Sequence, residues 1–551
     1  MLQPHGRALL WTALSLVAAG VATGESGAAL AGTLMAGLLH LQMRRLRGEL
    51  RPKRPPLGLH ARLEVRGNAA WLGAGQRSHR IGQEVPLVLR LSVPESAAGA
   101  QLDVDSWSCG AGLDFDGGGM ASIMLRAPLT ELHLRVLPRT AAVHKVVGLR
   151  GRLTDALGLV TAEIFLPSPC ELAALPRSLP MDLKAVAETR RHSPRSGMGQ
   201  RPDKVPGTGD DLRELREHHP GDPFKHIAWK ASAARGRLMS RTFEREQTRA
   251  VYVVLETGAT MRDGVPGRGP LDQAVDLVHS LAEACARTHD PFGLALVDGR
   301  VIEARPILEG LAAVESTDRA LLDLRRPVAE DLAPMGEDAL ISAVARYLSA
   351  VNRVDLPDLQ RAAAGWHGSD HARQRVVMAA LAHLPERERL PLLRGPEPSQ
   401  RSDLAILRRF CRASDIALGY RAALPPAQRI AGLEAGVRAA LAARRGPFAV
   451  LVVSDYRGLG AHAQPLMRSF EAARRAGHRI LAVAVREKED GDALDLVHDA
   501  EELDAARGLL RADQAARDSL MADLEEQCRR VGASFLGDPE PREILSLWRY
   551  G

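Results

Sequence analysis

Residues 251–260 read VYVVLETGAT: five apolar residues in a row, then Glu256 and a run of small and hydroxyl-bearing residues. An unbroken apolar run of this length, closed by turn-forming residues, is the pattern of a strand buried on both faces. Residues 449–453 (AVLVV) repeat it and end at Ser454-Asp455. Between and after these runs, periodicity predicts a helix over 271–287, a strand over 292–297 and a hairpin partner over 301–307. Beyond 453 it predicts a helix over 465–476, a strand over 480–485, a helix over 514–531, a strand over 533–536 and a last helix from Arg542. Strands alternating with helices imply a doubly wound, largely parallel α/β sheet. Residues 310–445 interrupt it with an Ala/Leu/Arg-rich stretch of helical period, read as an insertion.

The whole chain of 551 residues is long enough for two or three domains, and its 45% hydrophobic content is ample for large cores. Its 73 basic residues are nearly balanced by 67 acidic ones and are interspersed with them. That distribution argues against a nucleic-acid binder, which concentrates basic residues and aromatics on one face. The exception is the cluster Arg44, Arg45, Arg47, Arg51, Lys53 and Arg54. It comes after two uncharged apolar stretches, 8–24 and 26–43, separated by Glu25. Each is close to the length that crosses a bilayer core of roughly 30 Å. The reading is a transmembrane hairpin over 1–48. The positive-inside bias places both of its ends, and the domains C-terminal to it, in the cytoplasm.

After the proline-rich link at 52–57, short runs with strand character (63–65, 85–93, 132–137, 145–149 and 160–166) alternate with Gly/Asp-rich turns. They predict an immunoglobulin-like β-sandwich over 58–177. Cys109, Cys170, Cys285, Cys411 and Cys528 are odd in number and widely spaced, which suits reduced thiols.

Residues 178–249 form a linker, its 189–209 stretch an exposed loop, that leads into REHHPGDPFKHIAWKASAARGRLMSRTFERE, 216–246. Arg216, Glu217, Pro220, Gly221, Asp222, Ile227, Trp229, Lys230 and Arg235 of this block resemble the signature of the DUF58 family. His218, Lys225 and Ala228 depart from it. Its turn chemistry, buried indole and alternating charges suit a structural clamp between the β and α/β domains, with a partner-contact site as the other reading. The resemblance extends to the whole chain except roughly 310–440. It implies a von Willebrand factor A-like α/β domain over 250–551 and a protein partner, a MoxR-type AAA+ ATPase.

Domains of that type hold Mg²⁺ or Mn²⁺ at the carboxyl end of the sheet through an Asp-x-Ser-x-Ser motif, a threonine and a second aspartate. Here the motif stands as Glu256-Thr257-Gly258-Ala259-Thr260, with Asp455 as the second acid. Glu256 is one methylene too long and Gly258 has no hydroxyl. Glu256, Thr260 and Asp455 therefore make a degenerate metal site, short of the roughly six oxygens a hard cation requires.

Other chemistry has little support. The GWHGSDHA stretch around Trp366, His367, Asp370 and His371 lacks the H-E-x-x-H arrangement, and neither a phosphate-binding loop nor a nucleophile elbow occurs. The expectation is a non-enzymatic, membrane-anchored interaction scaffold at the inner (cytoplasmic) membrane. It is bacterial in composition, acts in protein maturation or envelope processes, and has no required cofactor. The alternative is an outward-facing adhesive or ligand-binding ectodomain, in which Cys109 and Cys170 would pair.

Overall fold

The computed structural model describes residues 3–48, 59–65, 70–72, 76–110, 112–179, 207–219, 224, 227–243, 250–325, 329–352, 354, 370–386, 388–389, 402–444, 446–487, 500–539 and 543–544. The chain is a mixed α/β protein, as the alternation of apolar runs predicts.

Two antiparallel helices open it, α1 (Pro4–Thr23) and α2 (Ser26–Gly48). They approach closely because small residues line the seam: a Cβ added at Gly32 would lie 2.5 Å from the Ala13 carbonyl oxygen. The larger apolar side chains Trp11, Leu14, Val21, Leu30, Leu34 and Leu38 point away from the seam and are exposed. The segment His5–Thr23 is long and apolar enough to cross a membrane, while the apolar part of the second helix, Ser26–His40, is shorter. The hairpin is fastened to the β domain, since Gln3 donates its backbone N–H to the Leu159 carbonyl at 3.1 Å and its side-chain amide to Thr161 Oγ1 at 2.7 Å.

Among the described residues, ten strands come next: β1 (His60–Val65), β2 (Ala70–Leu72), β3 (Gln76–Arg80), β4 (Val85–Ser92), β5 (Gln101–Cys109), β6 (Leu113–Phe115), β7 (Ala121–Met124), β8 (Leu129–Pro138), β9 (Ala142–Thr154) and β10 (Thr161–Leu175). They form two sheets, ordered β1-β4-β8-β6 and β2-β3-β10-β9-β5-β7. One core built from Leu87, Leu89 and Leu91 of the first sheet and Leu102, Leu149 and Leu153 of the second makes this a sandwich. Cys109 and Cys170 both oppose Val146, from opposite sides of β9. Two strand spacings separate them by roughly 10 Å, beyond the approximately 7 Å that a disulfide spans. The Cys109–Cys170 pairing that an outward-facing domain would allow does not form, and all five cysteines are free.

The exit of β10 joins the sandwich to α4 (Pro270–Arg287). Arg177 N–H donates to Asp276 Oδ1 at 2.8 Å, Leu179 N–H to Ser280 Oγ at 2.9 Å and Ser178 Oγ to Glu283 Oε2 at 2.7 Å. Among the described residues, the 216–246 block belongs to a hairpin in which β11 (Gly207–Glu217) and β12 (Met239–Phe243) flank the short helix α3 (Trp229–Arg235). Residues 207–209, expected in an exposed loop, lie in β11, while most of that loop falls outside the described residues.

The main sheet has the order β15-β14-β13-β16-β17-β18, made of β13 (Val251–Glu256), β14 (Phe292–Val297), β15 (Val301–Leu308), β16 (Ala449–Ser454), β17 (Arg479–Ala484) and β18 (Ser534–Gly537). All pairings are parallel except that of the edge strand β15, which returns as a hairpin. Every residue of β13, β14 and β16 is buried, because helices cover both faces. On one side α4 and α5 (Gly310–Asp323) meet Val251, Val253 and Leu255. On the other, α9 (Pro426–Ala443), α10 (Gln464–Arg475) and α11 (Ala500–Val531) meet Tyr252, Val254 and Val452.

The insertion is therefore narrower than expected, since both α5 and α9 belong to the sheet's own layers. What remains is a lobe of α6 (Glu337–Ala350), α7 (Asp370–His383) and α8 (Asp403–Ser414) around a separate core. α11 begins earlier than expected, and of the final helix only 543–544 lie among the described residues.

Candidate functional site at the crest of the α/β sheet

In open α/β sheets the carboxyl ends of the strands form the crevice where ligands bind. Here β13 delivers Glu256 to that edge and β16 delivers Ser454 and Asp455, all buried. The group between the two acids is Arg429, in the first turn of α9. Its Nε donates to Glu256 Oε1 at 2.6 Å, and its Nη2 to Glu256 Oε2 at 2.9 Å and to Asp455 Oδ1 at 2.6 Å. Its Nη1 donates to the Arg457 carbonyl at 2.7 Å, and Ser454 Oγ donates to Glu256 Oε2. Burial lowers the guanidinium's pKa, but Glu256 and Asp455 more than reverse this, so Arg429 stays charged. The extra methylene of glutamate lets the carboxylate reach across to α9 and take the guanidinium in a bidentate grip.

Gly258 has an equally direct explanation. A Cβ there would stand 2.9 Å from Asp298 Oδ1, so the missing side chain makes room for this third acid, just beyond β14. Asp298 has its own counterion: its Oδ2 accepts from Tyr420 Oη at 2.6 Å and from Arg421 Nε at 3.1 Å. Arg262 stacks over the Tyr420 ring, 3.9 Å from its centroid.

The donor set does not fit the hard cation that the sequence suggested for this place. Both oxygens of Glu256 and one of Asp455 are already bonded to a guanidinium. Thr260 Oγ1 and Asp455 Oδ2 are buried without a hydrogen-bond partner among the described residues, and two oxygens suit a bridging water better than a six-coordinate ion. Sequence reasoning located Glu256, Thr260 and Asp455 but missed Arg429, Asp298, Tyr420 and Arg421. An arginine in the first turn of a helix, three residues after a proline, carries no local sign that it will meet a strand end 173 residues earlier.

The 216–246 block lies apart from these residues in composition and exposure. Trp229, expected to be buried, is 58% exposed. It opens α3 and lies beside another exposed ring, Phe224, tilted against it with centroids 5.8 Å apart. The buried anchors of the hairpin are Ile227, Ala228 and Met239, with Ser232 Oγ bonded to the backbone. Lys230 and Arg235 are exposed, and Glu217 pairs with Arg237 rather than with either of them. Arg216 lies in β11, opposite Ser240. Asp222, Trp366 and His367 lie outside the described residues, while Asp370 and His371 are exposed at the start of α7.

Residues 214–354 match the family model described as "Protein of unknown function DUF58". This stretch matches DUF58. The DUF58 match includes Trp229, Glu256, Thr260 and Asp298 but ends before Arg429 and Asp455, so it takes in one half of the crest. Among curated proteins, none matches the chain.

Proposed function

We propose that the chain is a membrane-anchored, non-enzymatic interaction scaffold whose α/β part, of von Willebrand factor A-like type, presents its crest to a protein partner. The observation that carries this reading is the Glu256–Arg429–Asp455 cluster. At the place where such domains bind a cation, the acids are held by an internal guanidinium, which makes that part of the crest rigid. A contact surface needs that rigidity, whereas a reaction would need a free nucleophile or acid–base pair.

The signature resemblance favours a MoxR-type AAA+ ATPase as the partner, in protein maturation or envelope processes. The exposed Trp229–Phe224 pair with Lys230 and Arg235 has the aromatic and basic character of a contact site. Membrane attachment through the α1–α2 hairpin is supported by its outward-facing apolar side chains. The basic cluster after it favours an immunoglobulin-like sandwich and α/β domain on the cytoplasmic side of the inner membrane. The test is a pull-down from detergent-solubilised membranes, with ATP, without ATP and with EDTA. Capture of an AAA+ ATPase irrespective of EDTA supports the proposal, and capture that EDTA abolishes overturns its metal-independent form.

A further inference from the structure

Where the sandwich, the α/β crest and the helical lobe meet, they enclose a cavity of about 240 Å³. Its wall includes His144 from β9, Arg262 and Arg325 from the α/β part, and Asp415, Ala417 and Tyr420 from the segment leaving α8. This is smaller than the roughly 300–1,000 Å³ of drug-sized sites, and it suits one small molecule. The lining is largely apolar, so the placement of its charges decides what fits.

Three guanidiniums share this wall in different circumstances, and one of them, Arg412, is paired with Asp323 at 2.8 Å. Arg325 is paired with Asp272. Arg262 contacts no carboxylate among the described residues. Its Nε and Nη2 donate to the carbonyl oxygens of Thr257 at 2.9 Å and Leu324 at 2.8 Å, and its face lies on Tyr420. Those contacts fix the plane of the fork without neutralising it. Nearby Asp298 is already committed to Tyr420 and Arg421. Asp415, the one acid among the described residues of the wall, lies against Gly110 on the sandwich side.

We infer that this junction cavity binds a small organic oxyanion, a phosphate monoester or a carboxylate with an apolar body. Arg262 would be its anchor, and Tyr420 would hold that anchor in place. A preorganised guanidinium fork recognises both oxyanions, and the apolar remainder of the wall takes the body of the ligand. Because three lobes contribute to the wall, an occupant ties them together, and binding reads out as a rise in melting temperature. The inference does not depend on the partner proposed above.

The full-length chain in detergent is melted with increasing phenyl phosphate in one arm and benzoate in the other. The expected result is a saturable rise in Tm with at least one probe, and the arm that responds identifies the oxyanion. R262M should lose the rise, and R262K, a point charge without the fork, should bind about tenfold more weakly. A417W, which obstructs the cavity without touching Arg262, should also lose it, and it covers the case in which R262M does not fold. No saturable rise with either probe, or a rise that persists in A417W, overturns the inference.

Discussion

Arg429 Nε lies 2.6 Å from Glu256 Oε1, so a helix and a strand 173 residues apart in sequence are joined by a buried, bidentate ion pair. Such a pair stabilises little relative to a well-packed apolar substitute, but breaking it from one side leaves a stranded charge. R429A should therefore destabilise the protein by roughly 3–5 kcal/mol. The thermal melt of the detergent-solubilised chain checks this, and a Tm within a degree of wild type would count against it.

The same pair sets the response to metal. With Arg429 in place, Mg²⁺ or Mn²⁺ in titration calorimetry should give no saturable heat. Removing the guanidinium leaves Glu256 and Asp455 without their shared counterion. Millimolar Mg²⁺ should then raise the Tm of R429A and leave wild type unchanged. Equal shifts in both would show that the crest does not distinguish the two cations.

Trp229→Ala should change stability by no more than about 0.5 kcal/mol, the usual range for exposed positions. If the aromatic pair with Phe224 is a contact site, the same variant weakens partner capture. A large drop in Tm would show that the indole is structural after all.

His279 gives a pH signature. It is buried in α4, its Nδ1 2.6 Å from Asp318 Oδ1 of α5 and its Nε2 3.4 Å from Glu283 Oε1. Burial lowers its pKa, but Asp318 and Glu283 outweigh that and carry it up to about 9. A raised value in the folded state means that the contribution is complete below about pH 6.5 and is lost as pH rises through about 9. It amounts to something on the order of 2–3 kcal/mol. Asp276, which burial pushes up to about 6, titrates below this window. Melting curves between pH 7 and 10 should show a decline that H279Q flattens.

The sequence was most readable where burial is two-sided. VYVVL and AVLVV announce central strands because nothing polar interrupts them, and both lie fully buried in the middle of the sheet. Legibility failed where a residue's role depends on what folds against it. Trp229 has the same neighbours in the chain whether its indole faces a core or solvent. Residues 310–323 and 426–443 have the same helical period as the lobe they flank, yet they pack on the sheet. Gly258 reads as a lost ligand until Asp298 is seen in the space it leaves.

The covalent tether on the crest's counterion changes what can control it. A dissociable ion comes from the surroundings, so its occupancy depends on supply, chelators and competing ions. A guanidinium on α9 has an effective concentration fixed by the fold, and its translational entropy is lost once, during folding. No change in the divalent-ion pool can empty the position, and dilution does not reach it. The remaining means of changing the charge there is mechanical: the start of α9 must move, and the segment from Asp415 to Pro425 that feeds it is the part of the chain positioned to move it.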